Sequence, residues 1–289
     1  MKICILTAGR GTRMGVSSKQ INKALLPIDH KAVISHIIEK FSINDTFVIA
    51  LGHKGDQVVN YLKSAHPENK FEFVRVENYD GEGSGPGLSL LSCMKNLQEP
   101  FMFFACDGLF FDDMTNFDNN WIGISKINSE ESSSYCNVLT ENEKVVEIRD
   151  KQKCDDSHYA FTGVMFIKNF EVFWNSLKEG KIINNEHQLS NGFKGLMENH
   201  SLNGKQNDWK DVGDWEKYQN VQKQFGSASL LKTNEFIYFI NDRVIKFYAD
   251  ATITENRVKK SKINDEIFPK VEKAGDNFYW YPFWRGEIL

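Results

Sequence analysis

Three glycines and two arginines fall within nine residues directly after the first apolar run of the chain, MKICILTAGRGTRMG. Gly9, Gly11 and Gly15 let the backbone turn tightly and approach a ligand, and successive amide N–H groups in such a turn form an anion-binding nest. Arg10 and Arg13 add guanidinium forks suited to phosphate oxygens. The spacing matches neither GxxxxGK[ST] nor GxGxxG, so the anion reading rests on residue chemistry. A further cation, Lys23, stands in NKALLPI ahead of another apolar run, and FFACDGLFF sets Asp107 just past the end of a buried strand.

The elements that must position these groups are legible as alternation. KICILT, TFVIAL, FEFVRV and FMFFAC read as short buried strands, and AVISHIIEKF, GDQVVNYLKSA and GPGLSLLSCMKNL between them carry apolar residues at helical spacing. This predicts a three-layer α/β/α fold around a mixed, mainly parallel sheet of the Rossmann-like kind, with ligands beyond the carboxyl ends of the strands. WIGISKI, NVLTE, KVVEIRD and AFTGVMFIK read as further strands, EVFWNSLKEG and HQLSNGFKGLMEN as helices. A Gly/Ser turn at Gly226–Ser229 is the expected boundary between a domain of residues 1–226 and a detachable α+β segment of residues 230–289. The latter shows a hairpin signal, IYFI–Asn-Asp–RVIKFY, followed by a helical stretch.

Composition narrows the classes. With 41% hydrophobic and 26% charged residues the chain reads as globular, and a net charge of −4 gives no bulk attraction to nucleic acid or an anionic membrane. The sequence carries no leader pattern and no membrane-length apolar run, so a cytoplasmic location is expected. The five cysteines are scattered without metal-ligand spacing.

The combination GRGTRM, then NKALLPI, resembles the GxGTRx…PKxxLPI signature of the nucleotidyltransferases that make nucleotide-activated sugars and alcohols. Asn22 stands where the family has proline, and Ala24 follows the lysine. Further stations resemble that family in order across roughly residues 1–226: YDGEGSGPGLSLL, FFACDGLFF, EIRDKQK for the E-K-P turn, AFTGVMFIK, and WKDVGDWEKY for W-x-D-x-G-T-x-E-x-Y, with Asp214 in place of threonine. The resemblance implies a nucleoside triphosphate held by Thr7, Ala8, Gly9, Gly11, Thr12 and Arg13, with Gly83, Ser84 and Gly85 against the base. It implies Lys23 at the reacting phosphorus, Mg2+ on Asp107 and Asp211, and a phosphorylated small-molecule acceptor against Lys151, Thr162, Gly163 and Glu186. No nucleic-acid or membrane partner is implied, and a homo-oligomer stays open. His53 and His187 are not expected to be catalysts.

Residues 230–289 resemble the N-terminal lobe of choline-kinase and aminoglycoside-phosphotransferase-like enzymes, with Lys246 as the strand lysine and Glu255 as its helix partner; the catalytic-loop motifs of such kinases do not follow. That resemblance favours CTP and an amino-alcohol phosphate, giving a cytidylyltransferase, with a sugar 1-phosphate and UTP or GTP as the second reading. A glycosyltransferase would have no need of the GxGTRM loop with Lys23. A non-catalytic nucleotide sensor would not need both Asp107 and Asp211.

Overall fold

The computed structural model describes residues 1–15, 19–115, 117–225, 232–263 and 267–284. The Gly226–Ser229 turn expected as the domain boundary lies outside them. Strand β1 (Lys2–Leu6), buried along four of its five residues, runs into the glycine-rich loop. A small hairpin, β2 (Pro27–Ile28) and β3 (Lys31–Ala32), leads to helix α1 (Val33–Ile38). Two strand–helix units follow: β4 (Thr46–Leu51) with α2 (Gly55–Ala65), then β5 (Lys70–Arg75) with α3 (Pro86–Ser92). Pro86 opens α3 where a missing N–H costs nothing.

Strands β6 (Phe101–Phe104), β7 (Gly108–Phe110), β8 (Asn120–Ser125), β9 (Cys136–Glu141), β10 (Lys144–Asp150) and β11 (Tyr159–Ile167) come next. Helix α4 (Phe170–Glu179) precedes a hairpin, β12 (Ile182–Ile183) and β13 (Glu186–His187), and then α5 (Ser190–Asn199). Strands β14 (Leu202–Gln206) and β15 (Trp209–Asp211) lead to α6 (Trp215–Gln224).

Nine of these strands form one sheet in the order β5-β4-β1-β6-β11-β8-β14-β10-β9. The pairings are parallel among β5, β4, β1 and β6 and between β8 and β14, and antiparallel around β11 and β10. All strands except β10 and β11 therefore run the same way, and the sheet is mixed and mainly parallel. Alternation within β1 and β4 supplies both faces: Ile3, Ile5, Phe47 and Ile49 join the core on the side of α1, α2 and α6. Cys4, Leu6, Val48 and Ala50 join the one on the side of α3, α4 and α5. Sequence reading passes over β14, LNGKQ, because only Leu202 and Gly204 of its five residues are buried and its alternation is weak.

The C-terminal region is an antiparallel four-stranded sheet, β16-β17-β19-β18, made of β16 (Glu235–Ile240), β17 (Arg243–Tyr248), β18 (Glu272–Ala274) and β19 (Phe278–Pro282), with helix α7 (Ala251–Ser261) between β17 and β18. The expectation of a detachable tail is corrected here. Phe236, Tyr238, Ile240, Ile245, Phe247 and Phe278 belong to the same core as α1 and α2. Tyr238 donates its hydroxyl to the Leu25 carbonyl at 2.7 Å, and Arg243 donates to the Ser64 carbonyl at 2.7 Å. The C-terminal sheet thus shares the main core, while Tyr248, Val258 and Tyr279 form a small cluster of their own.

Candidate active site

A cleft of about 610 Å³ opens beyond the carboxyl ends of β1 and β6. Its first wall is the glycine-rich loop. β1 is followed by Thr7, whose hydroxyl donates to the Ala50 carbonyl at 2.7 Å and whose side chain is fully buried. Ala8 is wedged against Gly52, where an added Cβ would lie 2.5 Å from the Ala8 carbonyl oxygen and 2.7 Å from the Tyr79 ring. Gly11, left-handed at φ 63°, begins a 3-10 turn over Thr12–Met14, and buried Met14 anchors it while Arg13 stays exposed. A glycine is the residue that adopts that φ without strain.

Lys23 opens a second 3-10 turn, Lys23–Leu25, capped by Asn22. The Asn22 side chain, fully buried, accepts from the Ala24 amide at 2.9 Å and donates to the Thr7 carbonyl at 2.8 Å and the His53 carbonyl at 2.6 Å. Where the family has proline, this chain obtains rigidity beside the lysine from hydrogen bonds that tie three loops together.

The two carboxylates expected to hold a metal meet through a small ladder. Cys106 is left-handed at φ 56° and turns the chain out of the main sheet after β6. β7 then pairs with β15 in a two-stranded sheet, Gly108 opposite Asp211, and the Val212 amide donates to the Asp107 carbonyl at 2.9 Å. Gly213 marks the convergence: a Cβ there would lie 2.9 Å from Asp211 Oδ1, 3.5 Å from an Arg13 guanidinium nitrogen and 3.8 Å from Asp107 Cβ. Lys23 Nζ lies 3.5 Å from Asp107 Oδ2. Burial pushes the Cys106 thiol up to about 12, so it is an inert core group and no nucleophile.

Asp211 is held more tightly than the sequence foretells. Its Oδ1 accepts from the Gly213 amide at 2.7 Å; its Oδ2 accepts from the Tyr135 hydroxyl at 2.6 Å and Lys217 Nζ at 2.9 Å. Lys217 also bonds the Tyr135 hydroxyl and lies 3.2 Å from Glu131. Burial works against the charge on Lys217, but its bonds to Tyr135 and Asp211 outweigh it and raise the pKa. Asp214, where the family has threonine, caps α6 by accepting from the Lys217 amide at 2.9 Å.

A further wall of the cleft is built on β10, β11 and the β12–β13 hairpin, and its Gly163 lies beside Asp107. A register shift between Phe161 and Met165 frees Thr162 and Gly163 from the β8 ladder. Gly163 takes φ 86°, and the Thr162 hydroxyl bonds Asn207 at 3.4 Å. Lys151, left-handed at φ 50°, donates from Nζ to Glu186 Oε2 at 2.6 Å, and Gln188 donates to the same oxygen at 2.8 Å. The hairpin docks on the 83–87 loop: the His187 amide donates to the Ser84 carbonyl at 2.7 Å, and at Gly85, φ 120°, a Cβ would lie 2.9 Å from the His187 carbonyl oxygen.

Of the residues expected at the site, Ala8, Gly9, Gly11, Thr12, Arg13, Lys23, Ser84, Gly85, Asp107, Lys151, Thr162, Gly163, Glu186 and Asp211 line this one cleft. Thr7 and Gly83 stand behind its walls. The Thr7 hydroxyl is committed to Ala50 and the Gly83 amide to the Asn185 carbonyl at 2.8 Å. Sequence reading missed Tyr79, Tyr135, Asp150 and Trp209, which also line it. Asp150 adjoins Lys151 in EIRDKQK, so its acidity beside a predicted ligand was a usable signal; Tyr135 lies in SSSYCN, which carries no pattern.

Two hard carboxylates brought together at a glycine cradle, with a loop for phosphates beside them, fit a Mg2+ ion that takes one or two protein oxygens and completes its shell from substrate and water. Among the described residues no group of three or more His, Cys, Asp or Glu could hold a metal without such help. Among the same residues, no helix is long and apolar enough to cross a membrane.

Comparison with known proteins agrees with this architecture. Residues 3–115 match the MobA-like NTP transferase domain. The chain is 26% identical over 226 residues to the Bifunctional protein GlmU of Methanococcus vannielii, covering 74% of this chain and 52% of that protein. It is 27% identical over 221 residues to GlmU of Methanocaldococcus jannaschii, covering 74% and 51%. The chain thus spans about half the length of these curated relatives. A UDP-glucose pyrophosphorylase solved with UDP-glucose superposes with a TM-score of 0.67 at 20% identity, over 79% of this chain and 99% of that one. A UTP-bound UGPase from Acinetobacter baumannii superposes with a TM-score of 0.63 at 15% identity, over 79% and 94%. The fold is that of these solved pyrophosphorylases, a Rossmann-like mixed α/β fold, and residues 3–115 are similar to an NTP transferase domain.

Proposed function

We propose that the protein transfers a nucleotidyl group from a nucleoside triphosphate to a phosphorylated small molecule and releases pyrophosphate. The observation that carries this reading is the convergence of Arg13, Lys23, Asp107 and Asp211 in one cleft with Lys151, Thr162, Gly163 and Glu186, Gly163 lying directly beside Asp107. Two polyanions must approach each other in such a reaction, so cations have to cover both.

In the reaction, an oxygen of the acceptor phosphate forms a bond to the α-phosphorus, the bond from that phosphorus to the bridging oxygen of the β-phosphate breaks, and pyrophosphate leaves with the electron pair. Arg13 and the amides of the Gly9–Gly11 segment hold the departing phosphates. Lys23 stabilises charge growing at the α-phosphate, and Lys151 holds the acceptor phosphate. Asp107 and Asp211 would hold Mg2+, which when bound neutralises phosphate oxygens and aligns the reacting pair. Lys217 and Tyr135 fix the orientation of Asp211 through its Oδ2. The acceptor is already an anion, so no strong general base is required.

For the finer assignment we read CTP as the donor and an amino-alcohol phosphate as the acceptor, a reading supported by the resemblance of the C-terminal region to a kinase lobe. Its hairpin and following helix suit that resemblance, but the expected Lys246–Glu255 partnership is not formed, because Glu255 bonds Lys259 at 2.8 Å on α7. The second reading, UTP or GTP with a sugar 1-phosphate, is favoured by neighbours solved with UDP-glucose and UTP. The test is a screen of four nucleoside triphosphates against phosphorylated alcohols and sugars, following pyrophosphate. CTP with an amino-alcohol phosphate should give the strongest signal; dominance of UTP or GTP with a hexose 1-phosphate selects the second reading, and no release with any pair rejects nucleotidyl transfer.

A further inference from the structure

Asp150 is the last residue of β10 and stands directly opposite Cys136 on β9. It lines the cleft, yet it is only 8% exposed, and its Oδ2 is buried without a hydrogen-bond partner. A buried carboxylate whose facing partner is only a neutral thiol, a weak donor, is among the more costly arrangements in a protein, and one that persists at a ligand cleft calls for a cation that also donates hydrogen bonds. Among the described residues no lysine or arginine forms an ion pair with Asp150, although Lys194 acts electrostatically on Cys136 opposite. Lys151, the next residue, gives its ammonium to Glu186 at 2.6 Å. Lys194 is exposed on α5. Burial, and then the Asp150 carboxylate itself, hold the Cys136 thiol well above its ordinary pKa, so the group facing Asp150 stays neutral.

A second orphan has the opposite character. Trp209 Nε1, a donor with no accepting capacity, is also buried without a partner in a residue that lines the cleft. It packs against Gly108, where a Cβ would lie 2.1 Å away, so it constrains the ligand less than Asp150 does. A neutral hydroxyl would bond Asp150 Oδ2 but leave its charge uncompensated, and this in a cleft that also receives phosphates. A quaternary ammonium would balance the charge but has no N–H to give.

We propose that Asp150 is the specificity-determining seat for an N–H-bearing ammonium group on the acceptor, so that the acceptor is an aminoalkyl phosphate with at least one N–H donor and is neither a quaternary amine nor a sugar. This rests on the nucleotidyl-transfer reading above and sharpens its acceptor. The experiment follows pyrophosphate release with CTP and a methylation series, ethanolamine phosphate, its mono- and dimethyl forms and choline phosphate, with glycerol 3-phosphate as the neutral member. Wild-type kcat/KM should fall at least about 30-fold between the last form that retains an N–H and choline phosphate, with glycerol 3-phosphate as poor. In Asp150→Asn, KM for ethanolamine phosphate should rise at least tenfold while KM for CTP stays within twofold and the preference within the series disappears.

Choline phosphate or glycerol 3-phosphate used as well as ethanolamine phosphate by the wild type overturns the proposal, and this arm needs no variant to fold. An equal loss for every acceptor in Asp150→Asn also overturns it. If no triphosphate is turned over with any acceptor, the nucleotidyl-transfer reading fails instead. Calorimetric titration with ethanolamine phosphate and choline phosphate alone then decides the ammonium seat: a preference for the former that Asp150→Asn removes supports it, and equal affinities overturn it.

Discussion

The turn that carries Lys23 is flanked by two regions built in different ways. Toward the cleft stand short loops rich in glycine and charge: the 9–15 loop, Asp107 on its left-handed bend, and Asp211 locked by Tyr135 and Lys217. Behind the turn stands a buttress of large buried side chains drawn from residues far away in sequence. Tyr238 bonds the Leu25 carbonyl, and the hydroxyl of Tyr218 and the amide of Gln222 both donate to the Pro27 carbonyl, at 2.7 and 2.8 Å. Tyr61 packs edge-on against Tyr238 at 4.9 Å. The cleft side is local chemistry that a motif records; the buttress is non-local burial that no short pattern records.

The largest test of this contrast is removal of the buttress. Six large side chains of the C-terminal sheet, Phe236, Tyr238, Ile240, Ile245, Phe247 and Phe278, lie in the shared core. At roughly 1.5–3 kcal/mol for each buried side chain, their loss would cost about 10 kcal/mol, comparable to the whole stability of an ordinary domain. A chain ending at residue 231 should show no cooperative thermal transition and no activity. A truncated protein that melts near the wild-type temperature would make the C-terminal sheet an independent appendage.

The cleft side should break in the opposite manner. Asp107→Asn and Asp211→Asn keep shape and remove charge, so each should lower kcat/KM by about a hundredfold or more, on the order of 3 kcal/mol in the transition state. Thermal midpoints should move little. For Asp211→Asn, the loss of the charged partner of Lys217 should make the stability cost the greater of the two. Unchanged turnover in either variant would remove that residue from the site.

How much of this was legible follows from the same contrast. The strand–helix alternation of residues 1–104 and the loop chemistry of Gly9–Gly15, Lys23 and Asp107 are local, and the structure brings them together where the carboxyl ends of parallel strands predict. Asp211 was legible as a motif, but its Lys217–Tyr135 clamp was not, since Tyr135 and Asp211 are separated by the whole span from β9 to β15. The place of β14 between β8 and β10 was missed because a five-residue strand with two buried positions has almost no period to read. The detachable tail was misread for a complementary reason: a hairpin with alternating apolar residues shows which face is buried, and nothing in it says against what.

A smaller effect should come from pH on the buttress side. His66, 5% exposed, shares a 2.8 Å hydrogen bond with Ser35 Oγ, which in turn meets the Tyr61 hydroxyl at 2.8 Å. Burial lowers its pKa to about 4. The unfolded chain therefore binds the proton first. The stabilisation is fully present above the unfolded pKa near 6.5 and is lost as pH falls through the window down to about 4, where it flattens. The folded protein should lose on the order of 3 kcal/mol across that window through this group. Denaturant unfolding of wild type and His66→Gln between pH 7 and 4 should show the variant with the shallower slope; parallel slopes would mean that His66 stays accessible to protons in the folded state.

The smallest expected effects separate the two sides within a single sheet. Tyr238→Phe removes one hydroxyl and leaves the Leu25 carbonyl without that donor in the core, which costs about 1–2 kcal/mol of stability. Because the Lys23–Leu25 turn is also held by Asn22 from the cleft side, kcat/KM should fall by no more than about threefold. Lys246 lies on β17 of the same sheet, only partly buried, and the helix carboxylate that the kinase resemblance gives it, Glu255, is bonded to Lys259. Lys246→Ala should therefore change stability by less than about 0.5 kcal/mol and leave pyrophosphate release unchanged. Paired unfolding and activity measurements on the two variants decide between buttress and second active centre. If Lys246→Ala impairs turnover more than Tyr238→Phe does, the C-terminal sheet contributes chemistry of its own, and the division drawn here between a chemical flank and a packing flank fails.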